Sequence, residues 1–233
     1  MTFAELNVLA RQLNDYCSGS VIHKIFSPDY PIDIIGSKIL FCERVNNFIV
    51  FALKEGYLYL RPGLSRIRTA PVLNHSFCLC SIDLGPKGII YAEGDERGFL
   101  VKQELSVPFC SVDIENLKER NLKRRTQGKY VFDFLDSLPG IDYMATDDIL
   151  FNLKLSPFVM EYSEFDIIKN SIINHIQERE SLGGSFYFTD LFGKRGNYIP
   201  KTRTQKCPSC NQAVSKIDIK RKVWYCEQCQ KLS

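Results

Sequence analysis

The chain has 233 residues, 45% hydrophobic, 24% charged and 12% aromatic, which supports a buried core and excludes wholesale disorder. No apolar run reaches the ~18 residues needed to cross a bilayer, and the opening Met1-Thr2-Phe3-Ala4-Glu5-Leu6 lacks the basic and apolar regions of a secretion signal. The expectation is an intracellular, soluble protein that is not secreted.

The net charge of +3 is unevenly spread. From Pro200 to Ser233 eight basic residues face only Asp218 and Glu227, giving +6 there and −3 for the remainder. A second basic cluster, with Arg120, Lys123, Arg124 and Arg125, runs from Lys118 to Lys129. Localised basic charge is a footprint of polyanion binding, although a lone cluster also reads as a solvated face.

In chain order, Leu6, Leu9, Ala10, Leu13 and Cys17 recur at helical spacing, which predicts an amphipathic helix over 4–17. Strands are predicted at 34–43, 48–53, 57–60, 74–84, 88–92 and 99–107, with Lys54-Glu55-Gly56 as a turn. The pattern turns helical after Pro108, with helices at 113–125, 130–137 and 142–153. A longer one, capped by Ser163, runs to Leu182 with Phe165, Ile168, Ile172, Ile173 and Ile176 as its buried stripe. Gly183-Gly184 ends it, and a glycine-punctuated loop follows.

Nine cysteines in a chain without a secretion signal argue against a disulfide framework. Cys17, Cys42, Cys78, Cys80 and Cys110 read as reduced core residues, with Cys78 and Cys80 sharing one strand face. Cys207, Cys210, Cys226 and Cys229 form Cys-x2-Cys-x15-Cys-x2-Cys. Each Cys-x2-Cys turn directs two thiolates at one ion, so the module predicts a zinc ribbon holding one structural Zn2+. The intervening hairpin has Lys220-Arg221-Lys222 at its tip. Four cysteines leave no open position for a catalytic water. His23, His75 and His175 have no ligand or triad spacing, and no glycine loop has the strand-to-helix context of a nucleotide site.

Cys207-Pro208-Ser209-Cys210 with Arg221-Lys222-Val223-Trp224-Tyr225-Cys226 resembles the C-terminal zinc finger of the formamidopyrimidine-DNA glycosylase and endonuclease VIII family. In that family an arginine five residues before the third cysteine grips phosphates, and Arg221 stands there. Leu138 to Phe151, ending at Ser156-Pro157, is similar to the family's helix–two-turn–helix segment. Gly183-Gly184 and Gly193-Lys194-Arg195-Gly196-Asn197-Tyr198 match its double glycine and lesion-proximal loop. Glu55 to Ser65 resembles the strand and loop that deliver the void-filling side chain, with Leu64 in place of methionine. The resemblance implies an α+β protein: a β-sandwich with a flanking helix (1–110), a helix–two-turn–helix domain (111–200) and a zinc-ribbon β-hairpin (201–233).

The departures fall on the chemistry. The family begins Met-Pro-Glu-Leu-Pro-Glu, with the proline amine attacking the sugar; here Met1-Thr2-Phe3-Ala4-Glu5 stands instead, and Glu5 aligns with the second acidic residue. Asn47 occupies the place of a phosphate-binding lysine, Tyr143 that of an asparagine and Asp142 that of a glycine. One reading is a monomeric DNA-binding protein of damaged or distorted duplex, with base excision weak or absent. Its contacts would come from Arg221, Leu64, Lys194, Arg195, Lys220 and Lys222. A second is a glycosylase or abasic-site lyase in which removal of Met1 exposes the Thr2 α-amine as a Schiff-base nucleophile, with Glu5 handling protons. A third is a zinc-ribbon protein binding RNA or protein.

Overall fold

A computed structural model of the chain describes residues 1–27, 33–72, 78–97, 99–104, 129–160 and 164–231. The helix expected at 113–125, most of the basic cluster at 118–129, the Ser163 cap, His75 and Cys110 lie outside these.

Helix α1 spans Phe3–Cys17, and its first turn is closed by a reciprocal capping box. The Glu5 amide donates to Thr2 Oγ1 (3.5 Å), and the Thr2 amide donates to Glu5 Oε2 (3.0 Å). The line Leu6, Leu9, Leu13, Cys17 is buried as its spacing predicts. Among the described residues eight strands follow: β1 (Lys24–Phe26), β2 (Ile39–Val45), β3 (Phe48–Leu53), β4 (Gly56–Arg61), β5 (Arg66–Ala70), β6 (Cys78–Asp83), β7 (Ile89–Glu93) and β8 (Leu100–Glu104). They form two antiparallel four-stranded sheets, ordered β2-β3-β4-β8 and β1-β6-β7-β5. Strand β2 starts later than expected because a turn, with the Ser37 amide on the Ile34 carbonyl, precedes it. Alternation in β6 is broken by a bulge between Cys78 and Cys80, so Cys80 is buried and Cys78 only half-buried. Cys17 and Cys42 are buried free thiols with sulfurs 3.3 Å apart, joining α1 to β2.

Helices α2 (Val131–Asp136) and α3 (Tyr143–Asn152) flank the break at Leu138-Pro139-Gly140, and α4 (Phe165–Ser181) crosses α1. One buried apolar cluster runs from α1 through both sheets into these helices. Gly140, at φ +76°, receives the start of α1: its carbonyl accepts the Phe3 amide (3.1 Å), and a Cβ there would lie 2.0 Å from the Phe3 ring. The buried line of α4 is Phe165, Ile168, Ile172, His175, Arg179. Its last two positions are polar: His175 packs against Tyr198, and Arg179 reaches a polar cleft.

The chain ends in hairpin β9 (Ser215–Ile219) and β10 (Arg221–Tyr225), turned at Lys220 in left-handed backbone, φ +56°. It is seated on the helices through Phe151, which packs with Cys207 and Cys226, and through Leu155, whose carbonyl accepts from Gln230 (2.9 Å). No helix among the described residues is long and apolar enough to cross a membrane.

Candidate metal centre and nucleic-acid cleft

The four cysteines of the terminal module converge, with all sulfurs within 4.8 Å of one another. Cys207 and Cys229 sulfurs are 3.7 Å apart, and those of Cys210 and Cys226 are 3.5 Å apart. A tetrahedral ion with metal–sulfur bonds of about 2.3 Å gives edges of about 3.8 Å, so the set fits such an ion. Backbone turns hold the knuckles: the Cys207 amide donates to the Gln212 carbonyl (2.7 Å), and the Cys226 amide to Gln230 Oε1 (2.8 Å). The soft, closed donor set suits a structural ion.

The hairpin tip faces inward. Arg221 Nε and a terminal nitrogen grip Asp136 at 2.6 and 3.0 Å, and its other terminal nitrogen reaches Asp147 at 2.9 Å. Lys220 Nζ pairs with Asp133 at 2.8 Å. The tip cations therefore already hold carboxylates of α2 and α3, while Lys222 stays exposed. Asp147 is fully buried, and burial pushes its carboxyl up to about 7 in spite of Arg221 and Arg203 beside it. Arg203 lies over the rings of Tyr143 (4.9 Å) and Trp224 (5.4 Å), and Lys216 lies 5.3 Å from the Trp224 centroid. Alternating cations and rings thus join the hairpin to α3.

Between the sandwich and the helices lies a cleft of about 280 Å³, lined by Met1, Glu5, Leu64, Asp142, Arg179 and Tyr187 among others. At its floor Arg179, 1% exposed, bridges two carboxylates. One terminal nitrogen donates to Glu5 Oε1 (2.7 Å) and Asp142 Oδ2 (2.9 Å), and the other to Asp142 Oδ1 (3.2 Å). The Ser185 hydroxyl also donates to Glu5 Oε1 (2.7 Å). Gly184 permits this approach, since a Cβ there would stand 2.5 Å from the Phe188 ring and 3.2 Å from Glu5 Cγ. Asp142 in turn caps α3, accepting the Ala145 amide at 2.8 Å.

Burial by itself would raise the Glu5 carboxyl. Arg179, the Thr2 amide and the Ser185 hydroxyl together hold it below the usual range. Asp142 is lowered in the same way by Arg179 and the Ala145 amide, again against its burial. The floor is therefore an ionised acid–guanidinium–acid bridge. Behind it, burial and Arg179 depress His175 to about 4. Tyr198, whose hydroxyl is 3.5 Å from His175 Nδ1, donates to buried Asp148.

Thr2 is 4% exposed and spends both amide and hydroxyl on the capping box, so the amine that lines the cleft is that of Met1, 3.3 Å from the Gly63 carbonyl. Leu64, 58% exposed, forms part of the cleft rim. Asn47 lines a neighbouring cavity of about 270 Å³ with Arg61 and Met1. Lys194 and Arg195 are exposed on the loop after Gly184, with Arg195 over the Phe186 ring (5.5 Å). Sequence reasoning missed Arg179 and Tyr187. For Arg179 a signal existed: the 165, 168, 172, 175 rhythm of α4 places 179 on the buried line.

No protein-family model matches the sequence, and no curated protein matches it. Among solved structures the chain is similar to the MutM (Fpg) protein of Thermus thermophilus, with TM-score 0.81, 18% identity and 100% of both chains covered. It is also similar to the Lactococcus lactis formamidopyrimidine-DNA glycosylase bound non-covalently to DNA containing an AP site. That match has TM-score 0.79 and 17% identity, covering 99% of this chain and 100% of the other. The fold is that of the formamidopyrimidine-DNA glycosylases, as the resemblance of the motifs implied.

Proposed function

We propose that this chain is a DNA-binding protein on a glycosylase scaffold, holding damaged or distorted DNA over the cleft with base excision weak or absent. The observation that carries the reading is the Glu5–Arg179–Asp142 bridge at the floor of a cleft in that fold. Both carboxylates are committed to Arg179 and held ionised, which leaves no carboxylic acid there to protonate a departing base. A structural Zn2+ in the four-cysteine set organises the hairpin. Lys194, Arg195 and Lys222 supply phosphate contacts, and Leu64 acts as an apolar wedge. Arg221 and Lys220 join them only by exchanging Asp136 and Asp133 for phosphate. The protein works as a monomer in the nucleoid or nucleus.

A second reading, an abasic-site lyase, is favoured by one distance. Glu5 Oε2 lies 3.0 Å from Thr2 N, close enough to take a proton from an amine exposed there by loss of Met1. Borohydride trapping on a duplex with one abasic site separates the two, with the mature N-terminus established by mass. The binder reading expects site occupancy without adduct; an adduct on the Thr2 amine replaces it with the lyase. Absence of any salt-dependent DNA binding overturns both.

A further inference from the structure

We infer that the DNA this protein prefers is unpaired: single-stranded DNA, or the open strand of a bubble, over fully paired duplex. The inference rests on the DNA-binding reading above and names its ligand class. Of the sixteen large hydrophobic side chains exposed among the described residues, five lie in the stretch 182–199: Leu182, Phe186, Tyr187, Phe192 and Ile199. Tyr187 is 76% exposed and stands at the cleft.

These rings are held in place by the loop that carries them. The Phe186 amide donates to the Tyr198 carbonyl (2.9 Å), and the Tyr198 amide to the Gly184 carbonyl (3.0 Å). Asp190 accepts the Phe192 and Lys194 amides at 3.0 and 2.8 Å, and Gln12 of α1 donates to Asp190 at 2.8 Å. A fixed, exposed ring stacks on a partner with little further loss of freedom. Cations sit among the rings: Arg195 covers Phe186, Lys194 precedes it, and Arg66 faces the cleft from the sandwich. None of these three has a carboxylate within 4.0 Å among the described residues. Rings for bases beside cations for phosphates form the stacking platform of single-strand binders.

Two of the hairpin's cations are less open, while Lys222 is exposed. At the hairpin, Asp136 and Asp147 hold Arg221 and Asp133 holds Lys220, and at the start of α3 the Asp142 carboxylate fills the place an anion would take. A paired duplex keeps its bases stacked inside and presents no base faces to Tyr187, whereas an unpaired strand offers bases to the rings and phosphates to the cations beside them.

The test is fluorescence anisotropy of the full-length, zinc-loaded protein with a labelled strand of about 16 nucleotides. The strand is offered alone, annealed to its complement, and annealed to a partner that leaves an internal bubble. Strand and bubble are expected to bind about 10-fold or more tighter than duplex. Tyr187→Ala weakens the strand complex by about 5- to 150-fold for one stacked base, and Tyr187→Phe restores it. Duplex binding as tight as strand binding overturns the inference and leaves the DNA-binding reading standing. Strand affinity indifferent to Tyr187→Ala does the same. Absence of binding to all three overturns the reading itself.

Discussion

Replacing Arg179 by methionine tests the cleft floor most directly. Methionine keeps much of the length and apolar bulk of the arginine stem but removes the guanidinium that bridges Glu5 and Asp142. Glu5 is 5% exposed, so the variant leaves a buried carboxylate without its cation. Breaking a buried pair in this way costs about 3–5 kcal/mol, which for a chain of this length lowers Tm by roughly 6–20 °C. The effect carries a pH signature. In the native protein Glu5 and Asp142 titrate below their unfolded values, so their contribution is present at neutral pH and lost as pH falls through the lowered folded values. In Arg179→Met burial is opposed only by the Thr2 and Ala145 amides and the Ser185 hydroxyl, so the carboxyls titrate higher than in the parent and protonation relieves part of the penalty. The gap between variant and parent is therefore widest near pH 7 and narrows as pH falls towards and below about 4.5, and adding Glu5→Gln recovers part of it. Urea unfolding from pH 4 to 8 measures both. A cost under about 1 kcal/mol, or one that does not change with pH, refutes the bridge as a source of stability.

Trp224 is the chain's single tryptophan and sits where the hairpin meets α3, over Arg203 and Lys216. Chelating the metal is expected to free the hairpin and red-shift tryptophan emission, with Zn2+ restoring it; an unmoved spectrum rules out a metal-dependent seat. Asp136→Ala releases one carboxylate from Arg221, and duplex affinity is expected to rise with a salt slope steeper by about 0.9, read by titration at several salt concentrations. His175 titrates near 4 when folded and 6.5 when unfolded, so the unfolded chain binds the extra proton between those values. Stability is expected to fall by about 3 kcal/mol as pH drops through that window, and a pH series on His175→Gln should show a shallower acid limb.

The periodic parts of the fold were legible. Helix α1 declared itself through its apolar rhythm, β3 by its unbroken apolar run, and the metal module by cysteine spacing alone. Strands β1 and β5 were not foreseen: β1 is three residues long, and β5 reads Arg-Ile-Arg-Thr-Ala, with little apolar content and its pairing supplied by β7. The candidate site was legible in its inventory but not in its pairings. Arg221 could be placed at the hairpin, yet that it faces Asp136 and Asp147 depends on how the hairpin sits on helices some 75 to 85 residues earlier. Asp142 was legible as a departure from the family's glycine, but not that Arg179, from another helix, pairs with it. Long-range charge partnerships leave no local trace, because local spacing constrains only neighbours within an element.

The bridge also limits how this cleft can be altered by successive single changes. Losing Glu5 or Asp142 leaves Arg179 with surplus charge, losing Arg179 strands both acids, and a side chain at Gly184 strikes Phe188 and Glu5. Each single step descends in stability although a joint replacement need not. The floor is an epistatic unit: engineered chemistry here has to arrive as a coordinated set of substitutions, and libraries that vary one position at a time will find this cleft nearly immutable.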